Sequence, residues 1–413
     1  MRYAYKYRLS PTSATERELQ RHIDICRQAY NHFLHELREA NDSLSRYQMQ
    51  SMLPEMKNWW DDLSDVYSKV LQMVVKRLSD NLSGLQQLKE NGYSVGGLRW
   101  KSPTEYRSLT YNQSGFDVNK NTGRDGWGEL HLSKIGAIPI RLHRDIPEGA
   151  TVKQVAIKKE KTGEWYATAT VEFDREPPAK PDDPERVVGI DAGIIKQTHD
   201  TDSVAVKPPD LSDERERLER EHRNLSRKDH GSNNWNEQRQ TVARRYADLK
   251  RKRRDFLHKL SNYYAQEYDL VAAEDLNAKE LIEEPGNSRS RASAAWAMFK
   301  RFLKYKCERE GTHFVAVEPA GTTKECASCG VSTEKPLWVR EHSCPACGFK
   351  TDRDANAAWN ILSRGLEYIG EGRSESTPLE TALPVDTPVS AKRVIERGSP
   401  CPEEPLMAAS RQG

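Results

Sequence analysis

The chain has 413 residues, enough for two or three domains each with its own core. Charged residues make up 31% against 36% hydrophobic, and no stretch approaches the roughly 20 apolar residues of a helix that spans a bilayer. The net charge of +2 hides an uneven distribution: residues 215–259 carry 15 Lys and Arg against 7 Asp and Glu, a segment suited to phosphate.

The opening YAYKYRLS alternates like a strand and Pro11 ends it. Thr15 is then placed to cap a helix to about Asn41, with Leu19, Ile23, Cys26, Tyr30, Phe33, Leu34 and Leu37 on one face. A second helix is predicted over residues 68–89, and a WW-containing link joins the two into a helical lobe. From Tyr106 to Phe173 the period becomes two. GELHLSKIGAIPIRLHR reads as two strands and TVKQVAIKKEKTGEWYATATVEF as a hairpin turning near Thr162 and Gly163. A small β-barrel, closed in part by the N-terminal strand, accommodates that set.

REPPAKPDDPER marks a domain boundary. After it, RVVGIDAGI and DLVAAEDL read as buried strands ending at Asp191 and Glu274. Charged helices over 210–228 and 237–268 lie between them. A helix from Ala292 to Glu310 and the strand THFVAVEP follow. Strands alternating with helices make this half α/β, so the whole is an α+β multidomain chain. A last helix is expected from Asp354 to Leu362, with Gly365 past its end, and the Ser-, Pro- and Glu-rich tail is expected to be disordered.

Two clusters carry chemistry. Cys326 and Cys329 form one CxxC, Cys344 and Cys347 a second, fourteen residues apart, each followed by a glycine. Four thiolates on two knuckles suit a closed structural Zn²⁺ site, the alternatives being a redox dithiol or chance clustering. Cysteines used this way, and no apolar core in the opening MRYAYKYRLS, point to a reducing cytoplasm. Asp191, Glu274 and Asp354 are acids at strand ends or at a helix start. Singly, each is an ordinary exposed acid; together they could hold one or two Mg²⁺ ions. Asp352 competes with Asp354, and is read as the helix cap because Ala357, Ala358 and Ile361 share the Asp354 face.

These residues carry a resemblance. VGIDAGI around Asp191, AAEDLNAKEL around Glu274, TDRDANAAWNIL around Asp354, TTKECASCG with CPACG, and YKYRLSPT at the start together resemble the TnpB (OrfB) family, the RNA-guided nucleases of insertion sequences related to type V CRISPR effectors. The likeness covers about residues 1–365, and Ala192 stands where the family usually has a larger aliphatic residue.

The resemblance implies a wedge β-barrel (1–12 and 100–175) with an inserted helical recognition lobe (13–99) and a linker (176–186). An RNase H-like RuvC domain (187–320 and 350–366) with an inserted zinc ribbon (321–349) would follow, then a tail (367–413) outside the pattern. It implies Asp191, Glu274 and Asp354 as the catalytic Mg²⁺ ligands and Cys326, Cys329, Cys344 and Cys347 as Zn²⁺ ligands. It also implies a guide RNA from the element end, a double-stranded DNA target, no membrane partner, a monomer in the RNA complex, and a cytoplasmic, nucleoid-associated site of action. Lys250, Arg251, Lys252, Arg253 and Arg254 are candidates for phosphate contact along the duplex, and Lys76 and Arg77 for DNA contact; a solvated helix face explains either group as well. A guided DNA-binding repressor and a transposase are the competing functions. The intact acids argue against the first.

Overall fold

The computed structural model describes residues 2–41, 43–120, 125–174, 176–276, 295–334, 336 and 338–370. The tail beyond 370, Cys401, the expected helix start at Ala292 and the AKEL end of the second acidic block lie outside those residues. Packing divides the chain into two compact units, Met1–Glu176 with Arg220–Arg245, and Pro177–Glu219 with Tyr246–Gly413.

The first unit begins with β1 (Arg2–Leu9), α1 (Ser13–Glu39), α2 (Arg46–Trp59), a 3-10 turn (Asp61–Ser64) and α3 (Ser68–Glu90). Six strands follow: β2 (Ser108–Asn112), β3 (Phe116–Asn119), β4 (Trp127–Leu132), β5 (Gly136–Arg141), β6 (Thr151–Lys159) and β7 (Trp165–Glu172). The seven form one sheet in the order β2-β6-β7-β1-β5-β4-β3, nearly closed and barrel-like. The N-terminal strand is central in that order. It pairs with β7 along its whole length and with β5 through Arg8 and Leu9, joining the two hairpin sets.

Two helix assignments are corrected. Helix α1 starts two residues before Thr15, because the Thr12 hydroxyl accepts the Thr15 N–H at 3.2 Å and is the cap. The WW-containing link is largely a helix, α2, opened by a Ser45–Gln48 capping box. Pro54 argues against a helix there because it lacks an N–H. Burial of Met49, Leu53 and Met56 on one face outweighs that lost bond. The helices and the sheet also share one hydrophobic core, running from Leu19 and Phe33 through Met56 and Val74 to Ile138 and Val171.

The second unit contains β8 (Val187–Asp191), β9 (Thr198–Asp200) and β10 (Ala205–Val206). Helices α4 (Ser212–Ser226) and α5 (Asn233–Glu267) each contribute residues to both units. Then come β11 (Leu270–Glu274), α6 (Trp296–Glu310), β12 (His313–Val317), the small hairpin β13 (Glu341–Ser343) and β14 (Lys350–Asp352), and α7 (Arg353–Gly370). The main sheet has the order β10-β9-β8-β11-β12. Strands β8, β11 and β12 are parallel, and the short β9 and β10, absent from the sequence reading, extend the sheet antiparallel.

Strand alternation sorts this sheet into two faces. Val188, Ile190, Val271 and Ala273 pack with Leu257, Tyr264, Phe299 and Leu303 of α5 and α6. Leu270, Ala272, Val315 and Val317 pack with Ile361 and Leu362 of α7. Helix α7 runs eight residues beyond the expected end at Leu362. Gly365 does not stop it; a Cβ there would lie 2.5 Å from the Ala272 Cβ, so this glycine lets the helix press onto the sheet. Gly189 does the same from the strand side, where a Cβ would meet the Ala358 carbonyl oxygen at 2.1 Å. Among the described residues no helix is long and apolar enough to cross a membrane.

Candidate functional site

Parity puts two acids on one face. Gly189 faces α7, so Asp191, two residues on, faces the same way; Ala272 faces α7, and so does Glu274. In the parallel pairing Ala273 lies beside Ile190, so the next residues, Glu274 and Asp191, sit at adjoining carboxyl ends. That end of a parallel sheet is where α/β folds bind ligands. Asp354 enters from the first turn of α7. Asp352 Oδ1 accepts the N–H groups of Asp354 and Ala355 at 2.9 and 3.3 Å, so Asp352 caps the helix as expected.

The three acids are coupled electrostatically. The Asp191 carboxyl is held well above the ordinary aspartate range, first by burial and then by the charges of Glu274 and Asp354, with Arg353 and Lys196 opposing. Burial also raises Glu274, against a hydrogen bond from Thr322 and the charge of Arg364. The charges of Glu274 and Asp354 thus disfavour ionised Asp191, and a hard divalent cation would offset them. The donors are all oxygen, a set that fits Mg²⁺.

Sequence reasoning missed two neighbours of this spot. Lys196 Nζ lies 3.2 Å from Asp354 Oδ2 and 3.4 Å from Asp352 Oδ1. His199 pairs directly with Asp191 across β8 and β9, so both side chains share a face. Burial, then Lys196, pushes the His199 imidazole below its ordinary value. The only signal was the string QTHDTD, too short and polar to read as a strand.

The four cysteine sulfurs lie within 4.8 Å of one another, a cluster able to hold a metal ion. The two knuckles repeat one geometry. Gly330 N–H donates to the Cys326 carbonyl at 2.8 Å and Gly348 N–H to that of Cys344 at 3.0 Å, with both glycines at positive φ (+75° and +73°). The Cys347 backbone N–H, aided by that of Ala346, pulls the Cys344 thiol down to about 6, whereas burial pushes the Cys326 thiol up to about 12 and also raises that of Cys329. Such donors stabilise thiolates, the form that binds metal.

Two asparagines of α7 fasten the cysteine segment to the sheet. Asn356, fully buried, accepts the Ala327 N–H at 2.9 Å and donates to the Glu325 carbonyl at 2.7 Å. Asn360 donates to the carbonyls of Thr322 and Glu325, each at 2.8 Å. Thr322 in turn donates its hydroxyl proton to Glu274 Oε1 at 2.6 Å.

The basic candidates divide by surroundings. Lys250, Arg251, Lys252 and Arg254 are exposed, whereas Arg253 is half-buried. Lys252 pairs with Glu214, Arg251 with Asp248, and Arg254 donates to His258. In the first unit Lys76 pairs with Asp80, while the Arg77 guanidinium donates to Ser108 Oγ at 2.9 Å and lies over the Tyr106 ring. Arg77 is therefore occupied in packing α3 against the strands.

Known proteins resemble this chain at three levels. Family models match residues 296–361 (Cas12f1-like, TNB domain), 169–284 (OrfB_IS605, described as a probable transposase) and 1–43 (a helix-turn-helix domain). Among the described residues of that last range the chain has a strand and one 27-residue helix rather than two helices and a turn. A Streptomyces pristinaespiralis protein that carries the name RNA-guided DNA endonuclease is 34% identical over 375 residues, covering 88% of this chain and 89% of its own. Escherichia coli InsQ, of the same name, is 28% identical over 404 residues, covering 91% and 96%. Among solved structures, Cas12f1 bound to its guide RNA and target DNA shares the fold, with a TM-score of 0.54 and 12% identity over 88% of this chain and 98% of its own. By the extent of its match to these relatives, the chain belongs to the TnpB (OrfB) family of RNA-guided DNA endonucleases.

Proposed function

We propose that this protein is an RNA-guided DNA endonuclease of an insertion sequence, cutting double-stranded target DNA beside a short element-associated motif. One observation carries the reading: Asp191 and Glu274 end adjoining parallel strands on the face covered by α7, the helix whose first turn holds Asp354. These three acids are the ligands for catalytic Mg²⁺, which when bound activates water and stabilises the leaving oxygen of a phosphodiester. Lys196, between Asp354 and Asp352, holds positive charge where a scissile phosphate approaches. The cysteine cluster takes a structural Zn²⁺, and Asn356 and Asn360 convey its position to the helix bearing Asp354.

In this reading residues 187–320 and 350–366 make the RuvC nuclease domain around the 321–349 ribbon. The nearly closed sheet and its helices are the wedge and recognition parts. A guide RNA from the element end pairs with the target strand, and exposed Lys250 and Arg251 track the duplex backbone. Names of relatives support this partner set: the Streptomyces and Escherichia proteins are named RNA-guided DNA endonucleases, and the solved Cas12f1 complex holds both nucleic acids.

The test is to purify the protein with its co-bound nucleic acid, sequence the RNA, and incubate the complex with a plasmid matching it. Mg²⁺-dependent linearisation is expected, and Asp191→Ala should bind the target without cutting it. Guided binding without cutting by the unaltered protein would establish the repressor instead; unguided strand joining would establish a transposase.

A further inference from the structure

We infer that His199, Asp352 and Asp354 form a second cation position beside the Asp191–Glu274–Asp354 acids, one that takes a nitrogen-tolerant divalent metal such as Mn²⁺ in preference to Mg²⁺. Three observations meet here. One ligand atom from each of these residues lies within 4.8 Å of the others. His199 is 6% exposed, and its Nδ1 has no hydrogen-bond partner. That nitrogen lies 3.6 Å from Asp352 Oδ1, too far for a good hydrogen bond but aimed into the cluster. A buried polar nitrogen left without a partner is costly, and a coordinated cation would satisfy it.

The fold fixes this arrangement. His199 and Asp191 are register partners, so the imidazole projects on the face where the acids converge. Asp352 ends β14 and Asp354 lies in the first turn of α7, so the start of one helix supplies two ligands. Lys196 Nζ contacts both carboxylates, so a metal bound here displaces that ammonium, which is then free to face a phosphate. Imidazole with two carboxylates suits first-row transition metals, whereas Mg²⁺ seldom accepts nitrogen. Asp354 is shared with the proposed catalytic set, so the inference rests on the nuclease reading for its chemical purpose. Binding can be measured apart from it.

The experiment uses the full chain with its cysteine cluster zinc-loaded, Mn²⁺ alone as the probe, and neither guide nor DNA. Pulsed EPR of bound Mn²⁺ should show ¹⁴N modulation from a ligating imidazole. His199→Gln should lose the modulation and weaken Mn²⁺ binding by about tenfold or more. Asp191→Asn should keep the modulation. Asp352→Asn retains a cap acceptor but loses a charge, and should also weaken Mn²⁺ binding if His199→Gln fails to fold. No ¹⁴N modulation in the unaltered protein, or its persistence in a folded His199→Gln, would overturn the site. Neither result would touch guided cleavage in Mg²⁺, which tests the function separately.

Discussion

Thr322 donates a 2.6 Å hydrogen bond to Glu274, and its own carbonyl accepts one from Asn360. A residue just before the first CxxC thus touches both an acid of the sheet and the helix that carries another. Thr322→Val removes the bond that favours the charged form of Glu274, so its carboxyl, already raised by burial, rises further. Glu274 then ionises only at higher pH. The acid limb of Mg²⁺-dependent cleavage should move upward and the rate on that limb fall roughly tenfold, with Thr322→Ser restoring both. A pH–rate profile that does not move would show that this bond leaves Glu274 unaffected.

Asp191 has an elevated folded pKa, so the folded chain holds its proton more tightly than the unfolded chain does. Metal-free protein should therefore be most stable at low pH with respect to this group. That stability should be lost as pH rises from the ordinary aspartate range through the raised folded value. Asp191→Asn removes the penalty. At neutral pH without divalent cations the variant should melt higher, by roughly 2–4 °C for each 1 kcal/mol recovered. Mg²⁺ should raise the melting temperature of the unaltered protein more than that of the variant, as calorimetry with and without Mg²⁺ would show.

The strand-end places of Asp191 and Glu274 and the helix-start place of Asp354 were legible because each closes an apolar run or opens a helix, and the cysteine cluster because its spacing leaves few other geometries. Other features were hidden for physical reasons. Helix α2 carries a proline that local propensity reads as a break, and its buried face, which meets α3, outweighs it. His199 lies in a three-residue strand whose existence depends on pairing with β8. The shared core of helices and sheet depends on pairs such as Glu16 and Trp165, joined by a 3.1 Å hydrogen bond across 149 positions, which no local period reveals.

The glycines of the sheet–helix contact give a sharper test of packing. At Gly189 an added methyl would meet backbone, the Ala358 carbonyl oxygen, at 2.1 Å, and no side-chain rotation relieves that. Gly189→Ala should cost about 1–3 kcal/mol or more and displace α7, lowering cleavage beyond what lost stability explains. Gly365→Ala meets a methyl at 2.5 Å near the other end of the helix. It should destabilise similarly while disturbing the acids less. Urea titrations paired with single-turnover cleavage would separate the two effects.

Arg77 and Lys250 make opposite predictions from equal charge. Arg77 is held by Ser108 and the Tyr106 ring, so Arg77→Ala should lower stability by about 1 kcal/mol. Its effect on the salt dependence of nucleic-acid binding should be small. Lys250 is exposed, and Lys250→Ala should leave melting unchanged while reducing the slope of log K against log salt by about one. Filter binding at several salt concentrations, beside thermal melts, would reveal an exchange of these outcomes.

Removing the cysteine-bound metal should act on the acids at a distance, through hydrogen bonds rather than coordination. Cys344→Ser takes one sulfur from the four and leaves the Glu325–Ala327 backbone without its anchor. Asn356 and Asn360 then lose ordered partners for buried amide groups, a penalty of about 1–3 kcal/mol for each group left unsatisfied. Helix α7 keeps its apolar contacts with the sheet through Ile361 and Leu362, so the second unit should stay folded while its N-terminal turn, with Asp354, loosens. The expected result is loss of bound zinc by elemental analysis, near-native circular dichroism, and cleavage reduced by at least about a hundredfold. Asn356→Ala, with zinc retained, should reproduce much of that loss. Full activity in a zinc-free Cys344→Ser protein would mean that Asp354 is positioned by the sheet contact alone.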